Sequence, residues 1–269
     1  MNTLDLESED GLRLEAAVHP AVGPARLGAV VVAHDIGLDM DQGGMFMRLA
    51  ERLTDVGFDV VRFSFRGHGG SEGAERDVTL EGTSLDLQAA IEAAMAHYSG
   101  PISIVAAGFG AAPVGVLLPQ LDPRLHGLVL WNPMLDLLHT FVEPRQAWGL
   151  NNFGPEALRR LERDDFILVD GEFEFGRALF EEMSVHEPTR WFVQSSVPSL
   201  VVQSERDAWV AHDAVRSIAA SRPACEFHSV HGSDHGFESR PHEDEVLTVT
   251  ARWLTTLHSA PGGIPSAPV

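Results

Sequence analysis

Apolar residues along this 269-residue chain fall into short continuous runs separated by amphipathic stretches. The runs at 28–33, 59–65, 102–106, 127–131 and 199–203 are apolar on successive residues, as in parallel strands buried on both faces. Ahead of them, 3–7 and 12–19 alternate polar and apolar, the pattern of an antiparallel pair with one wet face. The intervening stretches 45–54, 80–97, 214–220 and 243–257 carry apolar residues at helical spacing. Strands that alternate with helices predict an α/β fold, with a mostly parallel eight-stranded sheet flanked by helices.

The alternation breaks at 139–192. That segment reads as helices and loops without a clear strand. It holds seven of the 14 phenylalanines (Phe141, Phe153, Phe166, Phe173, Phe175, Phe180, Phe192) together with Trp148 and Trp191. The expectation is a core formed by 1–138 and 193–258, with a helical cap at 139–192 inserted between the sixth and seventh strands. Its aromatic residues would line the active-site face, or simply supply the cap's own apolar contacts. The Pro- and Gly-rich tail 259–269 is expected to be disordered.

Composition narrows the chemistry. Nineteen basic residues face 39 acidic ones, for a net charge of −20. That balance argues against nucleic acid or an anionic membrane surface as a partner. All 19 basic residues are arginine, so Schiff-base chemistry and a lysine base are excluded within this chain. The single cysteine, Cys225, excludes an intrachain disulfide and points to a reducing, cytoplasmic setting. No apolar run approaches the ~20 residues that span a bilayer, and the first residues lack the basic and apolar regions of a signal peptide. No phosphate-cradling motif is present. His231 and His235 flank a turn rather than sharing a helix face, so neither a cofactor nor a metal is expected.

The candidate chemistry lies in loops that follow the strands. At the end of the run 102–106 the chain reads Ala106-Ala107-Gly108-Phe109-Gly110 and then enters an alanine-rich helix. This is the setting of a G-x-S-x-G nucleophile elbow, with glycine in place of the serine. Glycine has no side-chain atom that can attack a substrate, but it tolerates the positive φ such an elbow imposes. Three more motifs follow other strands: His34-Asp35-Ile36-Gly37, Arg66-Gly67-His68-Gly69-Gly70-Ser71, and the pair Asp207 and His235, the latter in His231-Gly232-Ser233-Asp234-His235-Gly236.

Taken together, these motifs make the chain similar to α/β-hydrolase-fold proteins over residues 3 to 258, in the serine-aminopeptidase-like and esterase or acyltransferase-like branch. The resemblance implies an acid at Asp207, a catalytic histidine at His235 and the nucleophile position at Gly108. It also implies an oxyanion hole and pocket wall from Asp35, Ile36 and Phe109. The family has glycine after the histidine of the first loop, where this chain has Asp35. His34 and His68 read as structural. Three readings follow. In the first, an enzyme acts on an apolar or acyl-bearing small molecule without a serine acyl-enzyme, and His235, oriented by Asp207, serves as general base on water or substrate. In the second, the protein is a silent ligand-binding or assembly module. In the third, an ordinary hydrolase has had its serine replaced at Gly108. Asp35 is a further candidate nucleophile.

Overall fold

The computed structural model describes residues 2–98 and 100–260. Eight strands form the main sheet: β1 (Asn2–Thr3), β2 (Ala16–His19), β3 (Gly28–Ala33), β4 (Phe58–Phe63), β5 (Ile102–Ala107), β6 (Leu125–Trp131), β7 (Ser199–Ser204) and β8 (Cys225–Val230). Their spatial order is β1-β2-β4-β3-β5-β6-β7-β8. Strand β2 runs antiparallel to β1 and to β4, and the other pairs are parallel. The central strands are buried along their whole length, which is why their sequences are apolar on successive residues.

Two apolar layers cover the sheet. Helices Leu80–His97 and Ala111–Leu121 pack on one face, and Met45–Asp55 with Arg240–Ser259 on the other. The Thr79 hydroxyl caps the first of these by accepting from the Gly82 amide at 2.9 Å. Arg240–Ser259 begins at Ser239 with proline in its first turn. It runs through Ser259, so the first residue of the expected disordered tail is helical, and residues 261–269 lie outside those described. Among the described residues, no helix is long and apolar enough to cross a membrane.

The segment between β6 and β7 differs from its sequence reading. It contains a β-hairpin, Phe166–Val169 paired with Phe173–Gly176, among short helices. The signal was present but brief: Asp170-Gly171, a hairpin-turn dipeptide in which both residues take positive φ (52° and 79°). Exposed Arg76 fastens the hairpin to the core through a two-pronged contact with Glu174 (2.8 and 2.7 Å). Of the two readings of its aromatic residues, most follow the second, supplying apolar contacts of the fold itself. Phe141, Phe153 and Phe175 pack against one another within the main core, and Phe173 alone of the seven phenylalanines lines the cavity described below.

Candidate active site

The loops after β3, β5, β7 and β8 converge at the carboxyl edge of the sheet, where such folds place ligands. Strand β5 ends in the elbow. Gly108 has φ 46°, a left-handed conformation open to glycine at little cost. Two residues on, a Cβ at Gly110 would lie 2.6 Å from the carbonyl oxygens of Ala33 and His34, so this glycine lets the elbow press against the loop after β3. That close approach brings Asp35 onto Gly108. A Cβ built on Gly108 would fall 2.0 Å from Cγ and Oδ2 of Asp35 and 2.2 Å from Oδ1. The carboxylate fills the space a serine side chain would need.

Asp35 is held there from several sides and is only 5% exposed. Its Oδ1 accepts from the backbone amides of Phe109 (2.6 Å) and Ile36 (2.8 Å). Ile36 and Phe109 are two of the three residues that the resemblance places at an oxyanion hole and pocket. The Asp35 amide donates to Gln42 Oε1 at 2.8 Å. The Phe109 side chain turns away into the core against Phe141, so Phe109 offers the site an amide and no wall, a correction to its expected place in the pocket lining.

His235 lies between two carboxylates. Its Nδ1 is 2.8 Å from Asp207 Oδ2 and its Nε2 is 3.2 Å from Asp35 Oδ2. Asp207 is itself fixed by the Trp209 and Val210 amides (2.8 and 2.9 Å) and by Gln203 Nε2 (2.9 Å). Asn132, at the end of β6, donates to the His235 carbonyl at 2.6 Å and so ties the histidine loop to the sheet. One face of the imidazole stacks on Trp209 (4.3 Å between centroids, 8° between planes), and Trp148 stacks on the far side of Trp209 at 4.3 Å.

Burial disfavours a charged imidazole, but the charge and hydrogen bond of Asp207, joined by those of Asp35, outweigh it and raise the His235 pKa to about 10. Burial works against the Asp35 carboxylate too. The hydrogen bond and charge of His235 and the amides of Phe109 and Ile36 hold its pKa below the ordinary aspartate value. Both directions favour an imidazolium at His235 beside the Asp35 carboxylate, and stacking on Trp209 would add a cation–π contact to it. An imidazolium must first release a proton before it can act as a base toward water. Nitrogen NMR at pH 7.5 should show both ring nitrogens of His235 protonated, and Asp35→Asn should move its titration toward neutrality. A neutral His235 in the native protein at that pH would contradict this charge arrangement.

Other candidates lie away from this chemistry. His34 accepts from the Phe65 amide at Nε2 (2.9 Å) and donates from Nδ1 to the Asp35 carbonyl (2.7 Å); burial and the neighbouring His68 push its pKa down to about 3. It is a neutral brace for the loop that carries Asp35. His68 donates from Nδ1 to the Arg66 carbonyl at 2.9 Å and stacks on Phe173. Ser103 meets His258 at 2.8 Å and Ser64 donates to Glu15, so neither replaces the serine. Burial raises the Cys225 thiol to about 11, which leaves it protonated and inert. His231 faces Glu205 at 3.5 Å rather than sharing a ligand position with His235.

Above Gly108 opens a cavity of about 390 Å³. Asp35 and His235 form part of its floor, and Trp131, Phe173, Trp209 and Phe237 line its walls. Acidic residues line it as well: Asp170 and Glu172 from the hairpin, and Asp234, Glu238 and Glu243 from the loop and helix after β8. Glu243 pairs with Arg48. The other four have no arginine partner among the described residues. Sequence reasoning missed Asp170 and Glu172, because it did not find the hairpin that carries them.

The model of a family described as "Serine aminopeptidase, S33" matches residues 25–239. A search of curated proteins finds no match. Solved structures share the fold at low identity. Est1E from Butyrivibrio proteoclasticus, with ferulic acid bound, superposes with a TM-score of 0.81 at 16% identity, over 96% of this chain and 100% of that one. A putative hydrolase from Agrobacterium vitis S4 gives 0.76 at 18% identity, over 94% and 98%. The Pyrococcus furiosus esterase PF2001 gives 0.70 at 19%, over 96% and 91%. With the elbow, acid and histidine in their expected chain order, and 215 consecutive positions matched by the family model, the chain belongs to the serine aminopeptidase S33 family of α/β-hydrolase-fold proteins.

Proposed function

We propose that this protein hydrolyses a small, neutral or cationic molecule in the cavity above Gly108 without a serine acyl-enzyme, with Asp35, His235 and Asp207 as its reacting unit. The observation that carries this reading is the Asp35 carboxylate in the space of the absent serine side chain, 3.2 Å from His235 Nε2. Membership of a hydrolase family supports hydrolytic chemistry, and the retained Asp207–His235 pair supports proton handling. The four unpaired acidic residues around the cavity disfavour an anionic substrate.

Asp35 also bears on the alternatives. A hydrolase whose serine had merely been replaced would keep room for it at position 108, and here that room is filled. One observation favours the silent module: Oδ1 already occupies the Phe109 and Ile36 amides. Turnover separates the two. Across neutral p-nitrophenyl esters, lactones, alkyl halides and sulfonium salts, at least one should be hydrolysed by enzyme that fluorophosphonate leaves unlabelled. His235→Gln should slow that reaction by ~10²–10⁴-fold. No turnover across the panel, or turnover indifferent to His235→Gln, would reject the proposal.

A further inference from the structure

We propose that Asp35 is a covalent nucleophile: its Oδ2 attacks a saturated carbon carrying a leaving group that needs no proton, and the resulting ester is hydrolysed at Cγ. This rests on the hydrolytic reading above and assigns that reading its attacking atom and substrate class.

Three features of the site point this way. The first is position. The carboxyl overlaps the side-chain space of the elbow residue, Oδ2 lies on the His235 side and the residue lines the cavity. The second is the use of the hole. A carboxylate attacking an acyl carbon would create a second oxyanion on the substrate, but the Phe109 and Ile36 amides are already spent on Oδ1. Displacement at saturated carbon creates no oxyanion. The same two amides then lie where negative charge develops in the second step, when water adds to Cγ and Oδ1 becomes the oxyanion. The third is direction. Displacement is in line, so the leaving group departs on the side away from Oδ2. The His235 Nε2–H is aimed at Oδ2 and cannot serve it. The leaving group must therefore depart as a stable anion or as a neutral molecule. Aromatic walls and unpaired carboxylates favour the second kind, a cationic substrate such as a sulfonium that releases a neutral thioether.

The steps balance. An Oδ2 lone pair forms the O–C bond while the carbon–leaving-group bond breaks, and its electron pair goes with the leaving group. Esterification removes the Asp35 charge. His235 then keeps one carboxylate partner, releases its Nε2 proton to solvent and becomes the base that takes a proton from the attacking water. The tetrahedral intermediate collapses by breaking the bond between Cγ and the alkyl-bearing oxygen. The alkoxide takes the proton from His235 and leaves as alcohol. Asp35 is regenerated with one oxygen from water.

That last point is the test. A single turnover of excess wild-type enzyme in ¹⁸O-water, with benzyldimethylsulfonium and with 1-bromobutane as the two arms, should place ¹⁸O in the Asp35 peptide and none in the alcohol. The sulfonium arm should be the faster after subtraction of the uncatalysed rate, and Asp35→Asn should abolish both. In His235→Gln, an alkylated Asp35 peptide should accumulate. The label in the alcohol, with none in Asp35, would overturn Asp35 as nucleophile and leave the hydrolase reading standing. Turnover of esters with neither alkyl probe consumed would do the same. No turnover of any probe would overturn both.

Discussion

The double variant Asp35→Gly/Gly108→Ser should react with a fluorophosphonate and cleave p-nitrophenyl esters, while Gly108→Ser alone should do neither. In the single variant the new Cβ would sit 2.0 Å from Asp35 Cγ, far inside contact distance. Serine at φ 46° adds backbone strain of ~1–3 kcal/mol. One of the two side chains must move, and the Oδ1 bonds to Phe109 and Ile36 would be lost if it were Asp35. In the double variant three obstacles vanish together. The space is open for the hydroxyl, the two amides can receive a substrate oxyanion, and His235 keeps only Asp207 as a carboxylate partner. A histidine relieved of its second carboxylate titrates nearer neutrality and can accept a serine proton. Single oxyanion donors are worth ~3 kcal/mol, so freeing the hole matters as much as adding the nucleophile. Strong labelling of Gly108→Ser alone would show that Asp35 yields its place easily. Absence of labelling in the double variant would show that the site has diverged beyond these two positions.

The contrast between Gly108 and Asp35 shows what a single sequence can and cannot display. Strand positions, the sheet and the chain order of elbow, acid and histidine were legible, because each rests on local apolar patterning or on short glycine-bearing turns. Asp207 and His235 were found for the same reason, and their 2.8 Å contact follows from that placement. The missing hydroxyl at Gly108 was visible as an absence. That Asp35 fills it was not, because the complementarity joins two loops remote in the chain and depends on Gly110 allowing them to touch. Asp35 could be named as an oddity of its loop, but neither its direction nor its approach to His235 follows from residue order. The hairpin of 166–176 was missed because four-residue strands inside a helical stretch give too little alternation to outweigh their surroundings. The phenylalanines of that segment were visible as a cluster, but which of them faces a cavity depends on how the hairpin docks on Arg76.

His235→Ala should destabilise the fold by ~3–5 kcal/mol at pH 7.5, the cost of leaving buried carboxylates without their cation. Asp35 and Asp207 are both almost wholly buried, and each loses its bond to the imidazole. The pH dependence should identify the cause. In the native protein the His235 pKa is raised from 6.5 to about 10, so its contribution is fully present below 6.5 and is lost as pH rises through 10. The Asp35 pKa is lowered from 3.8, so its contribution is present above that value and lost as pH falls below it. Between these limits the three charges support one another. The native imidazolium is lost as pH rises through 10, so the variant's deficit should be large at pH 7.5 and shrink toward pH 10.5. Asp35→Asn, which keeps the His235–Asp207 pair, should cost less at every pH. Urea unfolding of the three proteins at pH 7.5 and 10.5 reads these differences directly. A deficit independent of pH would mean that His235 stabilises the loop by packing on Trp209 rather than by charge. A deficit that grew toward pH 10.5 would reverse the charge assignment of the whole site.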